Sequence, residues 1–325
     1  MLHALQFVGG LVLLLFGGRL VVWASVHAAR RLGVSPLVVG LTLVAWGTSA
    51  PELALNLVSA LKGRGELALG NVVGANICNL GLVLGLCALI RPLQVQERLI
   101  RVEIWLTAIL LPVLAKLALL SGFAQWAAGL MLSVFVVYSA WTIFAALRES
   151  HELAAIGPSE WTGGEIAPAE PPAAWWLIVV GLLGGVGMLS LGGSLASDAA
   201  SGMALALGIP PAIVGVTIVS IGTTLPEAIT CVLAVRKGQT DLAMGNAIGS
   251  CLFNAGAIFG LTGLLAPPEP DGTMLVPMIY MALLAIALIP ISRGSDRLVS
   301  RVEGGLLLAS YASFLALSAW AATSS

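Results

Sequence analysis

Long stretches of this sequence contain no charged residue, and this feature restricts the possible folds more than any other. Residues 69–89 and 174–196 are both free of Asp, Glu, Lys and Arg. Each run is long enough to cross the hydrocarbon core of a bilayer, which is about 30 Å thick. Only 10% of the 325 residues are charged, whereas soluble domains contain about 25%. The chain is therefore predicted to be a membrane protein.

The charge-free runs favour helices over a β-barrel. Lipid accepts only helices and closed barrels, because every backbone polar group needs a partner inside the protein. Barrel strands alternate in polarity over about ten residues, whereas these runs are apolar on all sides. The predicted fold is an all-α membrane protein with ten transmembrane helices. The predicted spans are residues 4–28, 34–61, 66–90, 100–121, 124–147, 174–205, 210–235, 241–265, 273–292 and 302–321.

The N-terminal apolar run lacks a preceding basic segment and has the length of a full span, so we predict a retained helix rather than a signal peptide. Basic residues then set the orientation, because short cytoplasmic loops are enriched in Lys and Arg. Lys62, Arg64 and Lys116 fall on one predicted face. The opposite face collects Arg30, Arg31, Arg91, Arg98, Arg101, Arg148, Arg236, Lys237, Arg293, Arg297 and Arg301. That richer face is predicted to be cytoplasmic, which places both termini outside a prokaryotic plasma (inner) membrane.

An internal repeat relates the two parts of the chain. Residues 41–81 align without a gap to residues 216–256, at an offset of 175, and 15 of these 41 positions are identical. The identities include Gly, Pro, Glu and Asn in one register, which shared hydrophobicity alone does not produce. We therefore interpret the two segments as homologous repeats, at about 33–93 and about 208–268.

Five predicted spans lie on each side of the long connection at residues 148–173, which is rich in Glu and Pro. The chain thus divides into a first half (residues 1–147), a cytoplasmic linker and a second half (residues 174–325). Because five is odd, the second half is expected to sit upside down relative to the first. Inverted repeats with interrupted helices are typical of secondary transporters, whose binding site lies near the membrane midplane.

Two glutamates occupy equivalent positions inside apolar spans of the two repeats. Glu52 follows Gly47-Thr48-Ser49-Ala50-Pro51, and Glu227 follows Gly222-Thr223-Thr224-Leu225-Pro226. A carboxylate within a membrane is costly, on the order of a few kcal/mol, so it indicates a functional site by default. A single such residue could instead be a hydrogen-bonded packing group, but two in mirrored motifs favour an ion site.

The prolines explain how these motifs could bind a cation. Proline lacks an N–H and clashes with the carbonyl four residues earlier, so breaks are predicted near residues 45–47 and 220–222. The freed carbonyls and the Thr and Ser hydroxyls then become oxygen ligands of the kind that hard cations such as Ca²⁺ prefer. The alternative for the hydroxyls is bonding to their own helix.

A second repeated motif contributes amides. It reads GNVVGANICN at residues 70–79 and GNAIGSCLFN at residues 245–254. Ser250 and Asn254 are four residues apart and therefore share a helical face, and Asn79 is the mate of Asn254. Asn71 and Asn246 are interpreted as either ligands or braces between the broken helices, because membrane Asn residues often connect helices.

These motifs resemble the repeats of the calcium/cation antiporter superfamily, in particular its prokaryotic sodium/calcium exchanger branch. The resemblance covers both repeats and the ten-span layout. It implies Na⁺/Ca²⁺ exchange by alternating access, with Ca²⁺ held centrally between the two acidic residues and Na⁺ around it. The metal-binding residues that it implies are Glu52, Glu227, Thr48, Thr223, Asn79, Asn254, Ser49, Thr224, Ser250, Ala45 and Ser220.

Two positions depart from the superfamily pattern. Ala75 stands where relatives often have Ser, so one outer Na⁺ site is expected to be either weaker or completed by water. Asn254 stands where several relatives, including potassium-dependent ones, have Asp. With only two carboxylates the site has no third charge for K⁺, so we expect potassium-independent exchange. Ca²⁺, Na⁺ and the lipid bilayer are the expected partners, with no cofactor, no nucleic acid and no obligate protein partner.

Other functions remain as alternatives at this stage. A proton-coupled Ca²⁺ exchanger is the nearest, because Glu52 and Glu227 could carry protons, although no acidic–histidine pair occurs in the second motif. A cation channel is disfavoured by tight coordination between two carboxylates. An intramembrane hydrolase is disfavoured because the sequence has no HExxH or GxSxG motif, so the chain is expected to be a transporter and not an enzyme.

Overall fold

The computed structural model describes residues 2–119, 125–156, 171–207, 220–268, 274–293 and 297–324, which are almost entirely helical. The helices are α1 Leu2–Leu32, α2 Pro36–Thr48, α3 Ala50–Leu61, α4 Gly65–Ile90, α5 Glu97–Arg101, α6 Glu103–Leu119, α7 Gln125–Ile156, α8 Trp175–Ala206, α9 Ser220–Thr223, α10 Leu225–Arg236, α11 Thr240–Leu265, α12 Leu275–Ser292 and α13 Arg301–Ser324.

Seven of these helices are long and apolar enough to cross a membrane: α1, α4, α7, α8, α11, α12 and α13. The bent pair formed by α2 and α3 makes an eighth span if it is counted as one. The two other predicted spans are less complete. Helix α6 has 17 residues, at the lower limit for crossing a bilayer, and the span predicted at 210–235 begins outside the described residues. A membrane protein with several spans is confirmed, and the count of ten stays a prediction.

Three details differ from the sequence-based expectation. Helix α7 continues past residue 147 to Ile156, so the first part of the predicted linker is helical, while residues 157–170 lie outside the described part.

The span predicted to start at residue 100 is interrupted at Val102, whose backbone angles (φ −121°, ψ −67°) leave the helical region. The fold is also not purely α-helical, because β1 (Leu93–Gln94) pairs antiparallel with β2 (Leu298–Val299). These strands are two residues long and lack the alternating pattern that would reveal them.

Helices α4 and α11 form the centre of the molecule. In their apolar stretches 72% and 83% of the residues are buried, compared with 17% in α13. Both helices contain a π-helical segment, at Cys78–Val83 and at Asn254–Ile258. These segments overlap at the repeat offset of 175 and include Asn79 and Asn254, which places both amides in the most enclosed part of the fold.

Helices α1 and α8 pack along a seam of glycines. A methyl group added at Gly10 would lie 2.8 Å from the carbonyl oxygen of Gly192, and one added at Gly17 would lie 2.8 Å from that of Gly185. Residue numbers rise along one helix while they fall along the other, so the helices are antiparallel. Glycine allows this approach because it has no side chain to keep the backbones apart.

Helix α2 packs equally closely on α11. A methyl group at Gly40 would lie 2.6 Å from the Leu242 carbonyl oxygen, and one at Gly245 would lie 2.5 Å from the Leu37 carbonyl oxygen. Both helices therefore need glycine at these positions. This contact joins the first half to the second next to the repeated motifs of both halves and positions their polar residues.

Candidate cation site

Glu52 and Glu227 occupy matching places at the centre of the protein. Glu52 lies in the first turn of α3 and Glu227 in the first turn of α10. Their exposed fractions are 3% and 0%. The N-terminus of a helix carries a partial positive charge that stabilises a nearby carboxylate, so each helix start helps to hold its glutamate in the charged form.

Both helices begin at a backbone break. Helices α2 and α3 meet at Ser49 with a bend of 46°. Ser49 has φ −88° and ψ 1°, and Thr224 has φ −93° and ψ 2°. The sequence predicts these breaks near residues 45–47 and 220–222, and the structure places them two residues later, at Ser49 and Thr224. A proline fits within the first turn of a new helix, where its missing N–H needs no partner, so the new helices start just before Pro51 and Pro226.

Ser49 connects the two halves. Its hydroxyl donates a hydrogen bond to Oε1 of Glu227 at 2.9 Å. The same hydroxyl lies 3.2 Å from Oγ of Ser250. All three side chains are fully buried. The structure therefore brings together one predicted ligand from the first half and two from the second.

Thr48 joins the same region through Asn246. Its hydroxyl lies 3.0 Å from the Val44 carbonyl oxygen and 3.3 Å from Oδ1 of Asn246. The amide nitrogen of Asn246 donates to the sulfur of Cys231 at 3.2 Å. Asn246 thus braces α2 against α10, which agrees with the bracing interpretation of this residue. The cysteine sulfur also takes part in the brace, which spacing alone did not predict.

Asn79 and Asn254 are fully buried, and neither amide has a hydrogen-bond partner among the described residues. The segment that carries Asn254 contacts α3, the helix of Glu52. The segment that carries Asn79 contacts α10, the helix of Glu227. Each segment therefore packs against the acidic helix of the other half.

The four remaining predicted ligands differ in how deeply they are buried and in how much of each the structure describes. The carbonyl oxygen of Ala45 accepts the N–H of Ser49 at 3.0 Å and lies 3.4 Å from the Thr48 hydroxyl. Thr224 is fully buried and Thr223 is half-buried. Ser220 begins α9, and its side chain lies outside the described part of the structure.

Two buried asparagines were missed by the sequence reasoning. Asn56, one turn after Glu52, donates to the Glu52 carbonyl oxygen at 2.7 Å. Asn76 is fully buried, and its amide has no hydrogen-bond partner among the described residues. Both are amides within apolar spans, a signal that was available, but neither is repeated, because their equivalents are Cys231 and Cys251.

The unpaired atoms reveal what the arrangement can do. Among the described residues, both oxygens of Glu52 and Oε2 of Glu227 are buried without a hydrogen-bond partner. A buried charge without a partner is strongly unfavourable. A cation surrounded by these oxygens, the Ser49 and Ser250 hydroxyls and nearby amides would satisfy them together, and such oxygen donors suit Ca²⁺ and Na⁺.

A family profile and the similar proteins all indicate the same family for this chain. The profile of the family described as "Sodium/calcium exchanger protein" matches residues 2–144 and 177–320. The chain is 34% identical over 306 residues to "Putative antiporter CaxA" of Alkalimonas amylolytica, covering 93% of this chain and 94% of that protein. It is 29% identical to "Sodium/calcium exchanger MaX1" of Methanosarcina acetivorans, covering 94% and 95%.

Among solved structures, the sodium-calcium exchanger NCX_Mj soaked with Na⁺ and Ca²⁺ is similar over 97% of this chain and 98% of its own, with a TM-score of 0.81 and 28% identity. The family match covers most of the chain, and the fold and the paired acidic motifs agree with it. The chain therefore belongs to the sodium/calcium exchanger family, in the prokaryotic branch of the calcium/cation antiporter superfamily.

Proposed function

We propose that this chain is a secondary active antiporter that exchanges Na⁺ for Ca²⁺ across the membrane. The observation that carries the proposal is the pair of buried carboxylates, Glu52 and Glu227, one from each half. Three of their four oxygens have no hydrogen-bond partner among the described residues. Membership of a family of cation antiporters supports the same conclusion, and the relatives MaX1 and NCX_Mj are named as sodium/calcium exchangers.

Two carboxylates offset the charge of one Ca²⁺. When Ca²⁺ is absent, the same carboxylates would hold Na⁺ ions through an overlapping set of oxygens. Ca²⁺ and Na⁺ therefore cannot occupy the site at the same time. Such exclusion produces exchange rather than leakage. The proposed ligands are the eleven predicted residues: Glu52, Glu227, Thr48, Thr223, Asn79, Asn254, Ser49, Thr224, Ser250, Ala45 and Ser220.

Potassium independence follows from the charge of this set. Asn79 and Asn254 are neutral amides at mirrored positions, so the two glutamates supply its entire negative charge. A co-transported K⁺ would need a third carboxylate to balance its charge beside Ca²⁺. We therefore expect transport to proceed without K⁺.

The proposed architecture is ten spans in two inverted five-helix repeats. The glycine seam supports it, because the contact between Gly10 and Gly192 becomes the contact between Gly185 and Gly17 when each residue is shifted by 175. Equivalent helices α1 and α8 pack antiparallel, as inversion requires. The matching backbone angles at Ser49 and Thr224 provide a second line of support.

The proposed motion is a sliding of α1 and α8 across a fixed site. Several of their contacts with the bent segments have a glycine on one side; a methyl group at Gly222, for example, would lie 2.5 Å from Cβ of Ser197 on α8. Helices α4 and α11, which carry the amides, are enclosed at the centre. The site would then open to one side of the membrane at a time, which is alternating access.

The proposed location is the prokaryotic plasma membrane, with both termini outside and the 148–173 connection in the cytoplasm. Contacts between arginines and tryptophans support an interfacial position for these arginines, because tryptophan concentrates at both membrane interfaces, and the excess of arginines on this face supports its cytoplasmic side. Arg31 lies over Trp175, Arg98 over Trp141 and Arg293 over Trp105, with distances of 5.1–5.8 Å to the ring centres. All three arginines belong to the face that is predicted to be cytoplasmic.

Proton-coupled Ca²⁺ exchange is the second candidate. The observation that favours it is Glu52, whose two buried oxygens have no hydrogen-bond partner among the described residues. A proton bound there would neutralise the carboxylate in the absence of Ca²⁺ and would leave when Ca²⁺ enters. Glu227 is less suited to this exchange because Ser49 already donates to its carboxylate.

An ion-substitution experiment with the purified protein in proteoliposomes separates these functions. Vesicles loaded with Na⁺ are diluted into Na⁺-free medium that contains radioactive Ca²⁺, and uptake is followed over time. In parallel, internal Na⁺ is replaced by choline at constant pH, or a pH gradient is imposed without Na⁺. A third set contains K⁺ on both sides.

The proposal predicts Ca²⁺ uptake with internal Na⁺, background uptake with choline or with a pH gradient alone, and no effect of K⁺. Uptake driven by the pH gradient would favour the proton-coupled candidate. Uptake that needs no counter-ion on the opposite side would indicate a channel and would reject exchange altogether.

A further inference from the structure

A groove runs between α6 and α7 on the outer surface of the protein, and none of the predicted cation ligands lines it. Its volume is about 610 Å³, and its walls include Leu106 and Ile109 from α6 and Val134 and Val137 from α7. Ile109 and Val137 are 56% and 68% exposed. In a membrane protein these exposed apolar walls face lipid, so the groove opens towards acyl chains.

One end of the groove is basic. Arg101 lines it, and its side chain is 73% exposed. Arg98 lies one turn earlier, with its guanidinium 5.6 Å from the ring centre of Trp141, which also lines the groove. Tryptophan concentrates at the headgroup level of a bilayer, so this end of the groove lies at the depth of lipid phosphates.

The acidic groups nearby already have partners. Glu97 pairs with Arg101 and, at 3.5 Å, with Arg297; the hydrogen bond from Arg101 helps to hold the pKa of Glu97 below its usual range. Glu103 is fully buried, lies 3.9 Å from Nε of Arg98 and accepts a hydrogen bond from the Tyr138 hydroxyl at 3.3 Å. Three arginines thus face two glutamates, one of which is directed inwards.

Arg98 contributes positive charge rather than accessible donors to this end of the groove, since its side chain is only 23% exposed. Its Nε and Nη2 atoms are buried and have no hydrogen-bond partner among the described residues. A guanidinium binds phosphate oxygens well because its N–H groups are arranged as a planar fork. Arg101 presents such a guanidinium at the surface of the groove's end, so the apolar groove and its basic end match an acyl chain with an anionic head.

We propose that this groove binds one acyl chain of an anionic phospholipid, whose phosphate is held by Arg101, with Arg98 adding positive charge behind it. The lipid belongs to the leaflet on the arginine-rich side, which is predicted to be cytoplasmic. The site is separate from the cation site, so it does not depend on which ions the protein exchanges.

Native mass spectrometry of the full-length protein tests the proposal. The protein, released from detergent, is titrated with phosphatidylglycerol and separately with phosphatidylcholine of the same chain length. One arginine near a membrane surface changes the affinity for anionic lipid about five-fold. We expect the first phosphatidylglycerol to bind at least that much more tightly than phosphatidylcholine.

Variants assign the binding to this groove. Arg101→Gln should weaken the first phosphatidylglycerol about five-fold, whereas Arg64→Gln, on the opposite predicted face, should not. Val137→Trp should remove the tight binding by filling the groove while all arginines remain. Glu97→Gln should strengthen binding, because it removes a competing anion.

Equal retention of the two lipids by the unmodified protein would show ordinary boundary lipid and overturn the proposal. Equal losses in Arg101→Gln and Arg64→Gln would show non-specific charge attraction. Undiminished binding to Val137→Trp would place the lipid elsewhere. Size-exclusion profiles of each variant confirm that the fold is retained before lipid binding is compared.

Discussion

The two halves supply the cation site with nearly the same backbone but with different side chains. Ser49 and Thr224 have backbone angles within 5° of each other, and so do Lys62 and Lys237, where α3 and α10 end. Both halves then turn through a glycine with positive φ, 71° at Gly63 and 77° at Gly238. The break before each glutamate, the turn after its helix and the π-helical segment all occur twice.

The side chains around these repeated backbones are not equivalent. Ser250 places a hydroxyl next to Ser49, whereas its mate in the first half is Ala75. Glu227 accepts a hydrogen bond from Ser49 at 2.9 Å, whereas neither oxygen of Glu52 has a partner with hydrogen-bonding geometry among the described residues. The repeated backbone thus provides two carboxylates and a bent helix beside each. The differences in side chains can then give the two sides of the site unequal affinities.

The largest effect is expected at the positions where the halves match. Glu52→Gln and Glu227→Gln each remove one of the two charges that offset Ca²⁺, so both variants should lose Na⁺-driven Ca²⁺ uptake to the level of empty vesicles. Proteoliposome uptake of radioactive Ca²⁺ measures this directly. Glu66→Gln is the matched control, because Glu66 is an exposed acid in the first turn of α4, and it should transport normally.

Equal losses in the two variants would support a single shared site. If one glutamate could be neutralised without loss of transport, that residue would be a packing group. The claim that both halves contribute a carboxylate to the cation site would then be wrong.

A smaller and unequal effect is expected where the halves differ. Ser250→Ala removes a buried hydroxyl next to Ser49, and losing one such interaction costs roughly 1.5 kcal/mol, or about ten-fold in affinity. We expect a higher half-saturating ion concentration in transport assays. Ala75→Ser adds a hydroxyl at the mirrored position and should shift Na⁺ affinity in the opposite direction. Shifts of the same sign in both variants would contradict the assigned asymmetry.

The glycine seam should respond symmetrically. Gly17 and Gly192 are repeat mates, and a methyl group at either position would lie 2.8 Å from a carbonyl oxygen of the partner helix. Overpacking of this kind costs about 1–3 kcal/mol. Gly17→Ala and Gly192→Ala should therefore slow exchange to a similar degree in the uptake assay.

Matched controls for the seam lie on the same two helices. Gly9→Ala and Gly187→Ala add their methyl groups where no described atom lies within 4 Å, so both should behave like the unmodified protein. A slowing confined to α1 or to α8 would show that the two helices do not move as equivalent parts.

The smallest effect is expected at the brace formed by Asn246. Cys231→Ala removes one acceptor, whereas Asn246→Ala removes the contacts to both Cys231 and Thr48. A buried hydrogen bond contributes about 1 kcal/mol, so thermal unfolding in detergent should show a modest loss for Cys231→Ala and a larger one for Asn246→Ala. The reverse order would show that the brace to Thr48 contributes little.

The sequence was sufficient to predict features that depend on local chemistry. Pro51 and Pro226 lack an N–H, and this alone predicts a helix break near each glutamate. The charge-free runs predict spans, because no other structure satisfies their backbone in lipid. The offset of 175 identifies the residues that should correspond in the two halves, and the backbone angles follow that correspondence.

Other features depend on how the halves are placed against each other, which no local pattern contains. The contact between Ser49 and Glu227 joins residues 178 positions apart. The hydrogen bond from Asn246 to Cys231 forms only if α10 and α11 are rotated about their axes so that these two side chains face each other. Nothing in the sequence around Cys231 indicates that its sulfur accepts a hydrogen bond. The pairing of β1 with β2 likewise joins two distant loops whose sequences have no strand pattern.

Equilibrium binding of Ca²⁺ to the purified protein tests the central claim most directly, because it examines the shared site without depending on transport. Calcium binding is measured at increasing Na⁺, with choline as the ionic-strength control. A single site shared by Glu52 and Glu227 predicts one Ca²⁺ per chain, fully displaced by Na⁺, with an apparent dissociation constant that keeps rising as Na⁺ increases. Tightly bound Ca²⁺ that Na⁺ cannot displace would contradict the account, because the two ions would then occupy separate sites.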